Sequence, residues 1–187
     1  MRLLLLIGCF PPWNVVVQQE PNPLLGVARV DLARPTFYGL AVGQTSEAEY
    51  LGRKSDHQKT AWNEDKRQFS EEYRRAATLE AARCELGLDD PGGPGTHTVA
   101  TSVGYIEPGF YAGMVSIPSE VRLTVQLTRA GEIAEEIAVS HGTEPGTFRI
   151  GPIPIPTAPS VTDRLRADGA ALGRVVGRYL CVRKQGR

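Results

Sequence analysis

Residues 121–128 restrict the fold more than any other segment, because apolar and polar side chains alternate along them without interruption. The apolar positions are Val121, Leu123, Val125 and Leu127. A period of two places them on one face of a β-strand, so this face is predicted to be buried. A turn at residues 129–132 leads into a second stretch, in which Ile133, Ile137 and Val139 are predicted to face inward. Two such strands predict an antiparallel hairpin.

Two long stretches have helical composition. The first starts with a capping-box pattern at residues 46–49 and continues to Leu86, with a break expected near Ser55 and Gly87 expected to end it. The second starts after Ser160, whose hydroxyl is suited to capping free backbone amides. Both stretches are long enough to cover one face of a sheet.

Three glycines recur at intervals of four in the second helical stretch: Gly169, Gly173 and Gly177. Each destabilises an isolated helix by about 1 kcal/mol relative to alanine. Charged neighbours such as Asp168 and Arg178 exclude a lipid environment for this helix. The stripe therefore predicts close approach to a sheet or to a neighbouring helix.

Further strands are expected at residues 27–32, 36–42 and 97–106. Residues 144–159 contain five prolines and are expected to cross from the hairpin to the last helix rather than to enter a central ladder. The element order predicts an α+β domain over residues 27–187, with a mostly antiparallel sheet and two main helices packed on one face.

Charge and composition exclude several classes of function. Lys and Arg total 21 and Asp and Glu total 21, so the net charge of zero gives no attraction for nucleic acid, and no basic block separates the charges. No stretch approaches the roughly 20 apolar residues of a membrane-spanning helix. We therefore expect no nucleic-acid partner.

The first nine residues combine a positive charge at Arg2 with an apolar run that ends in Leu6-Ile7-Gly8-Cys9. This segment resembles a bacterial lipoprotein signal, in which an apolar residue, a variable residue and a small residue precede the acylated cysteine. The alternative is a buried strand with Cys9 as a core cysteine. With the predicted α+β body, the chain resembles small envelope lipoproteins of diderm bacteria.

That resemblance implies that residues 1–9 are a signal and that Cys9 becomes the lipidated amino terminus. In such lipoproteins an Asp directly after the acylated cysteine tends to retain the protein in the inner membrane. Phe10 occupies that position here, which implies sorting to the outer membrane, with the domain at its periplasmic face. Residues 10–26 are rich in proline and predict an extended tether. Residues 14–19 fit equally well an edge strand packed on the domain.

Catalytic and ligand-binding motifs are lacking in the sequence. The histidines, His57, His97 and His141, are far apart, and no HExxH, CxxC or G-x-S-x-G pattern occurs. Glu132, Glu135 and Glu136 are predicted to keep the hairpin exposed and soluble. We expect no catalytic residue, no metal site, no cofactor and no enzymatic activity.

Two functions are compatible with these features. The first is a lipid-anchored interaction or scaffolding protein with an envelope protein as partner. The second is an envelope-associated hydrolase whose site is assembled from scattered residues. A cleft holding a carboxylate pair or a Ser/His pair would favour the hydrolase, and a flat uncharged surface would favour the interaction protein.

Cys84 and Cys181 lie near the carboxyl ends of the two predicted helices. Parallel helices would bring them to one edge, where an oxidising compartment would favour a disulfide bond. Antiparallel helices would separate them and leave two buried thiols. The sequence leaves both arrangements open.

Overall fold

The computed structural model describes residues 12–91, 97–112, 115–143, 146–150, 153–157 and 160–186. The predicted signal, including Cys9, lies outside these ranges. The strands and helices are, in chain order, β1 (Asn14–Gln18), β2 (Arg29–Leu32), β3 (Ala41–Val42), β4 (Thr45–Ser46), α1 (Glu47–Gly52), α2 (Asp56–Ala81), β5 (Gly87–Asp89), β6 (His97–Glu107), β7 (Phe110–Ala112), β8 (Val115–Ile117), β9 (Glu120–Arg129), β10 (Glu132–His141), β11 (Gly146–Ile150), β12 (Ile153–Thr157) and α3 (Val161–Lys184).

The described strands include an eight-stranded sheet with the order β1-β10-β9-β6-β2-β5, to which β3 and β4 attach beside β6. Neighbours from β1 to β6 are antiparallel, whereas β2 runs parallel to both β5 and β6. The α+β class is confirmed. The sheet is mixed, because β5 and β2 extend its edge in parallel.

The predicted hairpin is formed by β9 and β10. All four apolar positions of the alternating segment are buried, and Leu123 pairs with Val139 while Val125 pairs with Ile137. The register of the inward face was therefore predicted correctly over most of the hairpin.

A bulge in β10 changes the register near the turn. The pairing shifts between Ile133 and Glu135. As a result Ala134 and Glu135 are buried, and Ile133 is 41% exposed. The predictions of an inward Ile133 and an exposed Glu135 are wrong, because one extra residue in the strand moves its side chains to other faces.

The first helical stretch is broken where expected. Ser55 caps α2 by accepting a hydrogen bond from the Gln58 amide, and the Gln58 side chain accepts one from the Ser55 amide. The predicted end is wrong: Glu85 takes the left-handed conformation (φ 59°), and Gly87 already belongs to β5. β5 then extends to Asp89 in parallel with β2.

The glycine stripe of α3 packs directly against α2. A Cβ atom at Gly169 would lie 2.6 Å from the Phe69 carbonyl oxygen, and one at Gly173 would lie 2.2 Å from that of Tyr73. Because contacts advance in the same direction along both helices, α2 and α3 are parallel. The stripe serves the close helix contact that its spacing predicts.

Both long helices contact the inward face of the sheet. The Tyr73 hydroxyl of α2 lies 2.8 Å from the Thr101 hydroxyl of β6, and the Tyr179 hydroxyl of α3 donates to Glu135 of β10. Phe69, Leu165 and Leu172 are fully buried among the residues of this interface.

Residues 13–24 pack on the domain. Asn14–Gln18 forms β1 on the edge of the sheet, antiparallel to β10. Trp13 packs edge-on against Tyr179 with 5.5 Å between ring centroids, and Leu24 is fully buried. Of the two alternatives for residues 14–19, the structure has the edge strand. Packing therefore begins before residue 27, within the range predicted as a tether.

Candidate functional site

A disulfide bond joins Cys84 and Cys181 in the structure, with 5.6 Å between their Cα atoms. Cys84 lies in a short 3₁₀ turn after α2, and Cys181 lies in α3. Parallel packing places both at the same end of the helix pair. The Lys184 ammonium donates to the carbonyl oxygens of Cys84 and Glu85 at 2.9 and 2.7 Å. This end of the domain is thus held by one covalent bond and two hydrogen bonds.

The same end of α3 holds the chain that leads toward Cys9. Asn22 Nδ2 donates to the Arg183 carbonyl oxygen at 2.5 Å, and Arg183 Nη2 lies 3.7 Å from Glu20 Oε1. With the contact between Trp13 and Tyr179, these bonds fix the path of residues 13–22.

Glu135 is the centre of a buried polar cluster that sequence reasoning missed. Tyr179 Oη donates to Glu135 Oε2 and Arg183 Nε donates to Glu135 Oε1, both at 2.6 Å. Burial, followed by the hydrogen bond to Glu135 and its charge, raises the pKa of Tyr179. Both carboxylate oxygens therefore accept hydrogen bonds from α3. Removing one partner of such a buried pair costs about 3–5 kcal/mol, so the cluster fixes β10 on α3.

A second buried cluster surrounds Asp168. Ser119 Oγ donates to Asp168 Oδ2 at 2.8 Å, Thr143 Oγ1 donates to Oδ1 at 2.6 Å, and His141 Nδ1 lies 2.9 Å from Oδ1. Asp168 is fully buried. A serine, a histidine and an aspartate are thus together, which is the combination that would favour a hydrolase.

The order of these bonds does not match a nucleophilic triad. In a triad the histidine lies between the nucleophile and the carboxylate, and the nucleophile is open to substrate. Here Asp168 lies between Ser119 and His141, and Ser119 is 1% exposed. The Ser119 hydroxyl also accepts a hydrogen bond from the Thr143 amide. The cluster joins the chain before β9 and the chain after β10 to α3.

The outward face of the sheet is open and carries small or polar side chains. A shallow depression of about 320 Å³ lies there, lined mainly by Ser102, Gly104, Thr124, Ala138 and Ser140. The Arg122 guanidinium at its rim donates twice to Glu120, at 2.7 and 2.9 Å, and lies over the Tyr105 ring. Its charge is therefore matched by a neighbour on the same surface. Such a shallow surface favours contact with another macromolecule over enclosure of a small substrate.

The histidines do not converge. His57 lies on α2, His97 on β6 and His141 on β10. Across the described ranges, no three His, Cys, Asp or Glu side chains are grouped as metal ligands would be. Within the same ranges, no helix combines the length and apolar composition required to span a membrane.

No family model and no curated protein matches the chain. Among solved structures, protein XCC0632 of the DUF330 family from Xanthomonas campestris is 12% identical, with 92% of this chain and 95% of that chain covered and a TM-score of 0.48. The PelC dodecamer from Paraburkholderia phytofirmans is 8% identical, with 88% and 96% covered and a TM-score of 0.42. A candidate lipoprotein from Caulobacter crescentus CB15 is 17% identical, with 66% and 85% covered and a TM-score of 0.38. Similarities at this level establish neither a family nor an activity for this chain.

Proposed function

We propose that this chain is a lipid-anchored protein at the periplasmic face of the bacterial outer membrane, where it binds an envelope protein. The observation that carries the proposal is the sequence Leu6-Ile7-Gly8-Cys9, which resembles the box that precedes an acylated cysteine. Two acyl chains or more on one cysteine give stable attachment, because a single chain binds membranes only marginally.

The bond between Cys84 and Cys181 supports export by an independent route. Disulfide bonds persist in oxidising compartments such as the periplasm and are rare in the bacterial cytosol. This bond closes a sequence separation of 97 residues and links the ends of the two main helices. A protein stabilised in this way fits an exported location.

The outward face of the sheet is the surface that we assign to the partner. It is formed by β6, β9 and β10, whose inward residues are fixed by the core. Its small side chains, such as Ser102 and Ala138, allow close approach of another backbone. A rigid, shallow surface of this kind suits a protein partner because little ordering accompanies binding.

Fractionation and cross-linking test the two parts of this proposal. The Cys9→Ser variant should move from the membrane fraction to the soluble fraction. A photo-crosslinking amino acid in place of Thr124, on the outward face, should yield a discrete adduct with one envelope protein. The same group in place of Leu79, an exposed residue of α2, should not yield that adduct. Membrane retention of Cys9→Ser would refute the anchor, and identical adducts at both positions would refute the assigned surface.

A further inference from the structure

Exposed apolar side chains concentrate along one edge of the sheet. Four large hydrophobic side chains on β1 or beside it are exposed. Val15, Val16 and Val17 are 48%, 58% and 39% exposed, and Ile133 is 41% exposed. Gln19 Nε2 donates to the Ile133 carbonyl oxygen at 3.0 Å, which places Ile133 beside the end of β1. These four side chains define an apolar edge.

The apolar edge is interrupted by a bulge between Val15 and Val17 but is not protected by charge. Natural edge strands commonly carry lysine, proline or inward-pointing charges that prevent further pairing. No charged residue occurs from Asn14 to Gln19, and β1 pairs with β10 alone among the described strands. Water is an unfavourable neighbour for three consecutive valines, so this edge is suited to a less polar environment.

The chain length before β1 determines which environment this edge meets. Only three residues separate Cys9 from Trp13, and Trp13 is held against Tyr179. Four Cα–Cα steps span at most about 15 Å. A domain of this length has a radius of gyration of about 16 Å. An acylated Cys9 would therefore keep the start of β1 within about one domain radius of the lipid headgroups.

We infer that the apolar edge rests on the surface of the bilayer that carries the lipid anchor. This inference depends on the proposed acylation of Cys9. Valine side chains would enter the boundary between headgroups and acyl chains, and Trp13, half-buried at the start of β1, is of a type enriched at that depth. The outward face of the sheet then stands beside the membrane and stays open to the partner.

Spin-label accessibility tests this contact on the acylated full-length chain. The protein is extracted from membranes, reconstituted into vesicles of phosphatidylethanolamine and phosphatidylglycerol, and labelled at Val16→Cys. The matched control is Leu79→Cys, because Leu79 is 60% exposed and lies on α2. At each site, the rate at which the spin label collides with oxygen, which is enriched in lipid, is compared with the rate at which it collides with a water-soluble nickel chelate.

We expect the oxygen-to-nickel collision ratio to be several-fold higher at Val16→Cys than at Leu79→Cys. Equal ratios at the two sites would overturn the inference. Spin–spin broadening at Val16→Cys, together with a low oxygen ratio, would show that a second copy covers the edge and would also overturn it. If Val16→Cys does not fold, Val17→Cys is used instead, because Val17 pairs with Glu136 whereas Val15 pairs with the buried Ile137. If Cys9 is not acylated, the proposed function fails separately from this inference: the intact mass shows an unmodified Cys9, and the protein does not sediment with the vesicles.

Discussion

Gly173→Ala tests the parallel contact of α2 and α3. The added Cβ atom would lie 2.2 Å from the Tyr73 carbonyl oxygen and 3.1 Å from Ala76 Cβ. Alanine in place of glycine inside a helix normally stabilises by about 1 kcal/mol. Overpacking costs about 1–3 kcal/mol, and the upper part of that range applies because the clash is with backbone. We therefore expect Gly173→Ala to lower the free energy of unfolding by about 1–2 kcal/mol, whereas the same substitution in an exposed helix would raise it.

Thermal and urea unfolding followed by circular dichroism measure this change. A loss of about 1–2 kcal/mol corresponds to a fall in Tm of about 2–8 °C for a domain of this size. Gly52→Ala is the matched control, because Gly52 is also helical and a Cβ atom there meets nothing within 4 Å. The control should be neutral or stabilising by up to about 1 kcal/mol. Equal or higher stability of Gly173→Ala would refute the helix register.

Three further changes test other parts of the fold. Leu123→Ala should lower the free energy of unfolding by about 2–5 kcal/mol, and Thr124→Ala by much less, because Leu123 is buried and Thr124 faces outward. Replacing Cys84 and Cys181 together by serine should cost about 2–4 kcal/mol, measured by urea unfolding. In the folded chain, burial and the charge of Arg129 lower the pKa of His97. His97 therefore binds a proton more readily in the unfolded chain, and stability should fall as the pH drops below about 6.5.

For each of these predictions, a specific result would contradict it. Equal, small shifts for the two hairpin variants would contradict the register of β9. Two reactive thiols in the unfolded, unreduced protein would contradict the disulfide bond. For the pH effect, His97→Gln should flatten the slope of stability against pH between about 7 and 5, since the loss occurs below the unfolded pKa. An unchanged slope would assign the pH dependence to another group.

The elements with a regular side-chain period could be predicted from the sequence. The alternation around Leu123 identifies β9 because burial on one side requires a period of two. The caps at Ser46 and Ser160 were also predicted, since both depend on local hydrogen bonds: Ser46 accepts one from the Glu49 amide, and Ser160 accepts one from the Asp163 amide. The spacing of Gly173 in the stripe indicated a close contact but did not identify α2 as the partner. That choice depends on the relative direction of two helices that are far apart in the sequence.

The polar clusters could not be predicted in the same way. Glu135 is buried only because a bulge precedes it, and no sequence pattern in β10 marks the bulge. Its partners Tyr179 and Arg183 lie four residues apart on α3, a spacing that indicates a shared helix face without identifying what covers it. Asp168 accepts hydrogen bonds from Ser119 and Thr143, which are far from it in the sequence, so its environment exists only in the folded chain.

Intact mass spectrometry of protein extracted from bacterial membranes tests the central proposal most directly. We expect a chain that begins at Cys9, carries the mass of its acyl groups, and has lost residues 1–8. A chain that retains Met1 and an unmodified Cys9 would contradict the lipid anchor and the membrane location that follows from it.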